Sequence, residues 1–175
     1  MTNILFNSNE LSKSNLTGLG LVSDGIYQNS KNLNFKSCYL KPFINESNFS
    51  YKLRRIAWSQ YVVPNLMRKF GCDFFFSPII EAPITKKIDS IVMAHDLIPL
   101  KYPSSTIHKI YFRTYVPCVL NKSILILTNS NATTDEIIKT YNVNPSKIYK
   151  LKLSYDKKNI FSLSLKRENF FLILG

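Results

Sequence analysis

His95 and Asp96 stand side by side just after the apolar run Ser90–Ala94. That run reads as a strand, and ligands of open α/β sheets gather at the carboxyl ends of strands. An imidazole placed there can donate a hydrogen bond to a sugar hydroxyl or help carry developing charge. A neighbouring carboxylate can orient loop backbone or act in acid/base chemistry. A loop histidine, with Asp96 closing a local turn ahead of Pro99, accounts for the same residues. The second place for chemistry is Gly18-Leu19-Gly20, which follows the first apolar run and opens a predicted helix. Backbone amides at the positive end of a helix suit a phosphate, and a plain turn glycine is the alternative. The dinucleotide fingerprint wants a third glycine where this chain has Ser23, and an acidic residue where it has Lys41, so a nicotinamide dehydrogenase is disfavoured. Glu81 and Asp89 flank a loop without forming a convincing glycosidase pair, and neither a serine nucleophile elbow nor a Gly-Lys-Ser/Thr phosphate loop is present.

These residues need a scaffold, and the periodicities supply one. Residues 3–7 read as a strand, the glycine turn follows, and Leu19, Val22 and Ile26 recur at helical spacing before a second strand at 35–40. The stretch 51–70 is helical with a break at Pro64, giving two short helices, and Gly71 ends it. Strands follow at 73–76 and 90–94. Helical spacing returns at Ile107, Ile110, Tyr111 and Thr114 around Pro117, and 123–128 is a nearly continuous apolar strand. Ser130 is placed to cap a helix over 131–141, and 148–153 gives the last strand. Continuous rather than alternating strands, interleaved with helices, predict an α/β, doubly wound parallel sheet. The polar, basic stretch 154–169 reads as a linker. Residues 170–175 read as a further strand ending in glycine, the way a new domain begins.

With 175 residues, 45% of them hydrophobic, the chain suffices for one domain with its own core. Apolar runs such as 124–127 and 170–174 fall far short of the roughly 18 residues a membrane span needs. The first residues carry no secretory signal, so a cytoplasmic chain is expected. Cys38, Cys72 and Cys118 are odd in number and widely spaced, which disfavours a disulfide scaffold or zinc site and predicts three small buried hydrophobes. The 23 Lys and Arg against 11 Asp and Glu leave a net charge of +12, pointing to an anionic partner. Lys52, Arg54, Arg55, Arg68 and Lys69, with Trp58 and Tyr61 among them, lie in the acid-free stretch 48–71, which suits an anionic membrane surface. An ordinary solvated helix whose aromatics enter the core is the alternative. A nucleic-acid-binding module would explain the charge, but no recognised reading motif is present and no nucleic acid is expected.

The order of the pieces resembles the N-terminal half of a group 1 glycosyltransferase of the two-Rossmann-domain, GT-B type. The resemblance is carried by the Thr-Gly-x-Gly turn at 17–20, Arg55 to Trp58, Asp73-Phe74-Phe75-Phe76-Ser77-Pro78 and His95-Asp96-Leu97-Ile98-Pro99. It continues through Thr128-Asn129-Ser130-Asn131-Ala132-Thr133, Asp135-Glu136-Ile137-Ile138, Tyr141 to Ile148, Tyr155-Asp156 and Ile160-Phe161. It implies a Rossmann-like acceptor domain over residues 1–153, a linker at 154–169, and at 170–175 the first strand of a donor-binding domain not contained in this chain. It further implies that Gly18 and Gly20 lie near the donor phosphates, that His95 contacts the transferring sugar, and that Ser130 faces the cleft or the acceptor. The expected partners are a nucleotide-sugar, as co-substrate rather than cofactor, and a saccharide or lipid-linked acceptor; no metal is expected. Transfer without the second domain is not expected, and a catalytically silent, truncated product is the alternative.

Overall fold

The computed structural model describes residues 2–9, 11, 18–29, 34–40, 48–84 and 87–152. The expected linker at 154–169 and strand at 170–175 lie outside them, as do Thr17 and Lys41. Among the described residues six strands, β1 (Asn3–Asn7), β2 (Asn34–Cys38), β3 (Phe74–Ser77), β4 (Ser90–Ala94), β5 (Leu125–Thr128) and β6 (Ile148–Lys150), form one sheet in the order β2-β1-β3-β4-β5-β6. Every pairing is parallel. The helices are α1 (Gly18–Asn29), α2 (Asn48–Tyr61), α3 (Val63–Phe70), α4 (Ile98–Lys101), α5 (Thr106–Lys122) and α6 (Asn131–Tyr141). The expected α/β architecture is therefore observed. The strand at 35–40 ends at Cys38 and the one at 148–153 ends at Lys150, while β4 and α6 have the expected bounds.

Handedness decides which face each helix covers. The crossover from β1 to β2 runs toward one edge of the sheet, and the crossovers from β2 to β3, β4 to β5 and β5 to β6 run toward the other. With the usual right-handed crossover, α1 falls on one face and α2, α3, α5 and α6 on the opposite one. The two cores agree. Leu5, Phe75, Val92 and Ile126 pack with Trp58, Met67, Val116, Leu120 and Ile137, whereas Phe6, Phe76, Met93 and Leu127 pack with Val22, Ile26 and Tyr27. Leu5 pairs with Phe75 and Val92 with Ile126, so neighbouring strands present like side chains to each face.

Local chemistry sets the helix ends. Pro64 occupies the first turn of α3, where its missing N–H costs nothing. Gly71 closes that helix at φ 58°, a left-handed conformation that a Cβ would strain even though open space surrounds it. Ser105 Oγ accepts the His108 N–H at the start of α5, and Ser130 Oγ accepts the Thr133 N–H at the start of α6. One expectation is corrected. The cysteines are not uniformly buried: Cys38 is, Cys72 is half-buried and Cys118 is exposed. Burial pushes the Cys38 thiol up to about 12. In the basic stretch, Trp58 and Arg55 are buried while Tyr61 is exposed, so it is neither wholly a surface nor wholly a core face.

Candidate functional site

The chain leaves β1 in one direction across the sheet and leaves β3 in the other, which makes the carboxyl ends of these neighbouring strands the switch point where a crevice opens. Asn7 Nδ2 donates to Ser77 Oγ across it at 3.1 Å. Beyond the carboxyl ends of β3 and β4 lies an open cavity of about 650 Å³. Its walls are Leu19 of α1, Lys52, Leu53, Arg55 and Ile56 of α2, residues 79–81 after β3, Met93, His95 and Asp96 at the end of β4, and the N-terminal half of α5.

His95 is half-buried in this wall. Its Nε2 lies 2.9 Å from the Pro78 carbonyl, which can only accept, so Nε2 carries the proton and Nδ1 is left as the acceptor of the neutral ring. Its own carbonyl accepts from Thr133 Oγ1 at 3.1 Å, tying the turn after β4 to the first turn of α6. Asp96 Oδ1 accepts the Ile98 N–H at 3.0 Å and so starts α4, with Pro99 in its first turn. The local-turn role of Asp96 is real, and it also lines the cavity.

Gly18 and Gly20 form the first turn of α1, and Leu19 between them reaches the cavity. A Cβ on Gly18 would meet nothing within 4 Å, so packing alone does not account for that glycine. Ser130 is not among the cavity-lining residues; its hydroxyl caps α6 and lies 2.9 Å from Thr133 Oγ1. Ser130 thus reaches His95 through Thr133.

Several residues of the site are ones that sequence spacing did not pick out. Arg55 donates from Nε (3.0 Å) and Nη2 (2.8 Å) to Glu81 Oε2, with both side chains largely buried in the cavity floor. Beside them Tyr115 Oη donates to the Ala82 carbonyl at 2.9 Å and Gln60 Nε2 to the same carbonyl at 3.1 Å. Burial pushes the Tyr115 phenol up to about 12 and holds Tyr111 well above its usual value of 10, so both remain protonated donors. Burial, and then the Lys52 charge, lower His108, whose Nδ1 lies 3.1 Å from Ser104 Oγ. The available signal was Glu81 itself: a lone acid after Ser77-Pro78, facing an acid-free helix, has to be neutralised if it is buried. Among the described residues no three His, Cys, Asp or Glu side chains group as metal ligands. No helix among the described residues is long and apolar enough to cross a membrane.

No family model matches the chain. Over 136 residues it is 29% identical to the O-antigen chain mannosyltransferase RfbU of Salmonella typhimurium, an alignment covering 75% of this chain and 38% of that protein. The chain thus resembles a glycosyltransferase in sequence over most of its length, and its all-parallel α/β sheet is what the motif resemblance implied.

Proposed function

We propose that this chain is the acceptor side of a glycosyltransferase that moves a hexose from a nucleotide-sugar to a saccharide or lipid-linked acceptor. The observation that carries the proposal is the cavity at the carboxyl ends of the strands, with His95 fixed at the end of β4 in a chain similar to a mannosyltransferase. In this reading residues 1–153 form the acceptor domain, 154–169 the linker, and 170–175 the entrance to a donor domain of the GT-B type.

Each part has a stated task. The first-turn amides of α1 at Gly18 and Gly20 face the donor's diphosphate, where the helix end favours negative charge. His95 hydrogen-bonds a hydroxyl of the transferring sugar, and the α6 turn at Ser130 supports it through Thr133. Transfer needs groups converging on donor and acceptor from both sides of a cleft, so a donor domain is required and no protein nucleophile is assigned here. No cofactor or metal is invoked. The acceptor lies along α2 and α5. There Leu53, Ile107 and Ile110 expose 49%, 50% and 54% of their surface, beside Lys52 and His108. That lining suits a hydrocarbon chain joined to an anionic head, and favours a lipid-linked acceptor. It also agrees with a cytoplasmic protein that touches an anionic membrane surface through Lys52, Arg68 and Lys69.

The test is equilibrium binding of a lipid-linked oligosaccharide to the purified chain. Saturable binding is expected, weakened about tenfold or more by Ile107→Asp with Ile110→Asp, since a tenfold loss is only about 1.4 kcal/mol. Saturable binding of random oligonucleotides, with none of the acceptor, would overturn the proposal.

A further inference from the structure

Residues 78–84, between β3 and β4, belong to no strand, yet their alternate carbonyls are taken one after another by side chains. His95 Nε2 donates to Pro78 O (2.9 Å), Tyr111 Oη to Ile80 O (3.1 Å), Tyr115 Oη to Ala82 O (2.9 Å) and Lys122 Nζ to Ile84 O. The Gln60 amide fastens the same segment twice, donating to Ala82 O and accepting the Ile84 N–H at 2.7 Å. Side chains of α2, α5 and the turn after β4 thus do what a neighbouring strand's N–H groups would do. Within the segment the Glu81 N–H donates to Ile79 O at 2.8 Å, folding the backbone tightly around Ile80.

One of these clamps differs from the rest in what it holds. The Pro78 carbonyl is the partner that fixes the His95 proton on Nε2, and the next clamp along the chain is the Tyr111 hydroxyl on Ile80. The Pro78 carbonyl lies in the peptide plane it shares with Ile79, between the end of β3 at Ser77 on one side and the Ile80 clamp on the other. An imidazole whose partner carbonyl drifts loses the bond that selects its tautomer, and either nitrogen can then carry the proton.

We propose that Tyr111 is a positioning residue for His95: by holding the Ile80 carbonyl it keeps the Pro78 carbonyl where it takes the Nε2 proton, so that Nδ1 is the nitrogen left as acceptor. The proposal rests on His95 serving the cleft, as set out under Proposed function, but its measurement reads the ring and needs no activity. A failed acceptor or transfer assay counts against that function and leaves the ring measurement as it was.

His95 and His108 are the chain's two histidines, so ¹⁵N-histidine labelling of the full chain gives two rings, and His108→Gln identifies His95. The wild-type spectrum is expected to show His95 predominantly as the Nε2–H tautomer, and Tyr111→Phe to convert it into a mixture of both. Tyr141→Phe is the control. It removes another tyrosine hydroxyl from a backbone carbonyl, Phe112 O at 2.7 Å, without touching residues 78–84. It should lower the melting temperature comparably and leave the His95 tautomer unchanged. A single His95 tautomer surviving in Tyr111→Phe, or an equal change in Tyr141→Phe, would overturn the proposal. If Tyr111→Phe does not fold, fluorotyrosine at position 111 keeps the shape and alters the donor strength. It must then move the His95 Nε2 resonance, and an unmoved resonance equally overturns the proposal.

Discussion

The floor and the mouth of the cavity are built from the same two helices, α2 and α5, and obey different physics. At the floor Arg55 and Tyr115 are buried, and each is bonded to the 81–84 stretch, as is the buried Gln60 amide. At the mouth Lys52, Leu53, Ile107 and Ile110 are exposed. On α2 the cations Lys52 and Arg55 are three residues apart; on α5 two of the residues that announced the helix, Ile107 and Ile110, are exposed, while Tyr111 packs against the core. The buried side of α5 is Phe112, Tyr115, Val116, Val119 and Leu120. Stability should therefore reside in the floor, and binding in the mouth. A charge or an apolar group is worth little to the fold where water reaches it and much where water does not.

The largest expected effect breaks the floor. Arg55→Ala leaves the Glu81 carboxylate buried without its guanidinium and should cost about 3–5 kcal/mol in urea unfolding. Lys52→Ala, one turn away, should stay within about 0.5 kcal/mol. Equal losses for the two would show that floor and mouth are not distinct. A smaller cut is Tyr115→Phe. Its hydroxyl leaves Ala82 O, but the Gln60 amide still donates there, so about 1 kcal/mol is expected. A loss as large as that of Arg55→Ala would mean the phenol, rather than the ion pair, organises the floor.

The smallest effect is a pH dependence at the mouth. The folded chain lowers His108, chiefly by burial and then by Lys52, so the unfolded chain binds the proton more readily. Stability from this group is present above the unfolded value of about 6.5 and is lost as pH falls below it through the folded value. His108→Gln should therefore shrink the fall in melting temperature between about pH 7 and about pH 5. An unchanged fall would remove His108 as a contributor.

Much of this molecule was legible in its order of residues. Short apolar runs separated by amphipathic stretches prescribe buried parallel strands joined by helices, and Pro64, Gly71 and Ser130 mark helix ends through backbone chemistry that acts locally. The place of His95 was legible too, because a polar pair just past a buried strand falls at the carboxyl edge of the sheet whatever the neighbouring strands are. The partnerships within the site were not legible. Arg55 and Glu81 are 26 residues apart, Tyr115 and Ala82 33, and His95 and Pro78 17, separations at which no periodicity relates one residue to another. Likewise the spacing of Ile107 and Ile110 established a helix but not which side faces the core. The chain by itself determined the elements and the edge at which chemistry can occur, since these follow from steric and hydrogen-bonding rules among near neighbours. Only the tertiary structure decided which apolar stripe stays open, which cation is buried and which nitrogen of His95 holds the proton, because each depends on groups that meet only once the sheet has formed.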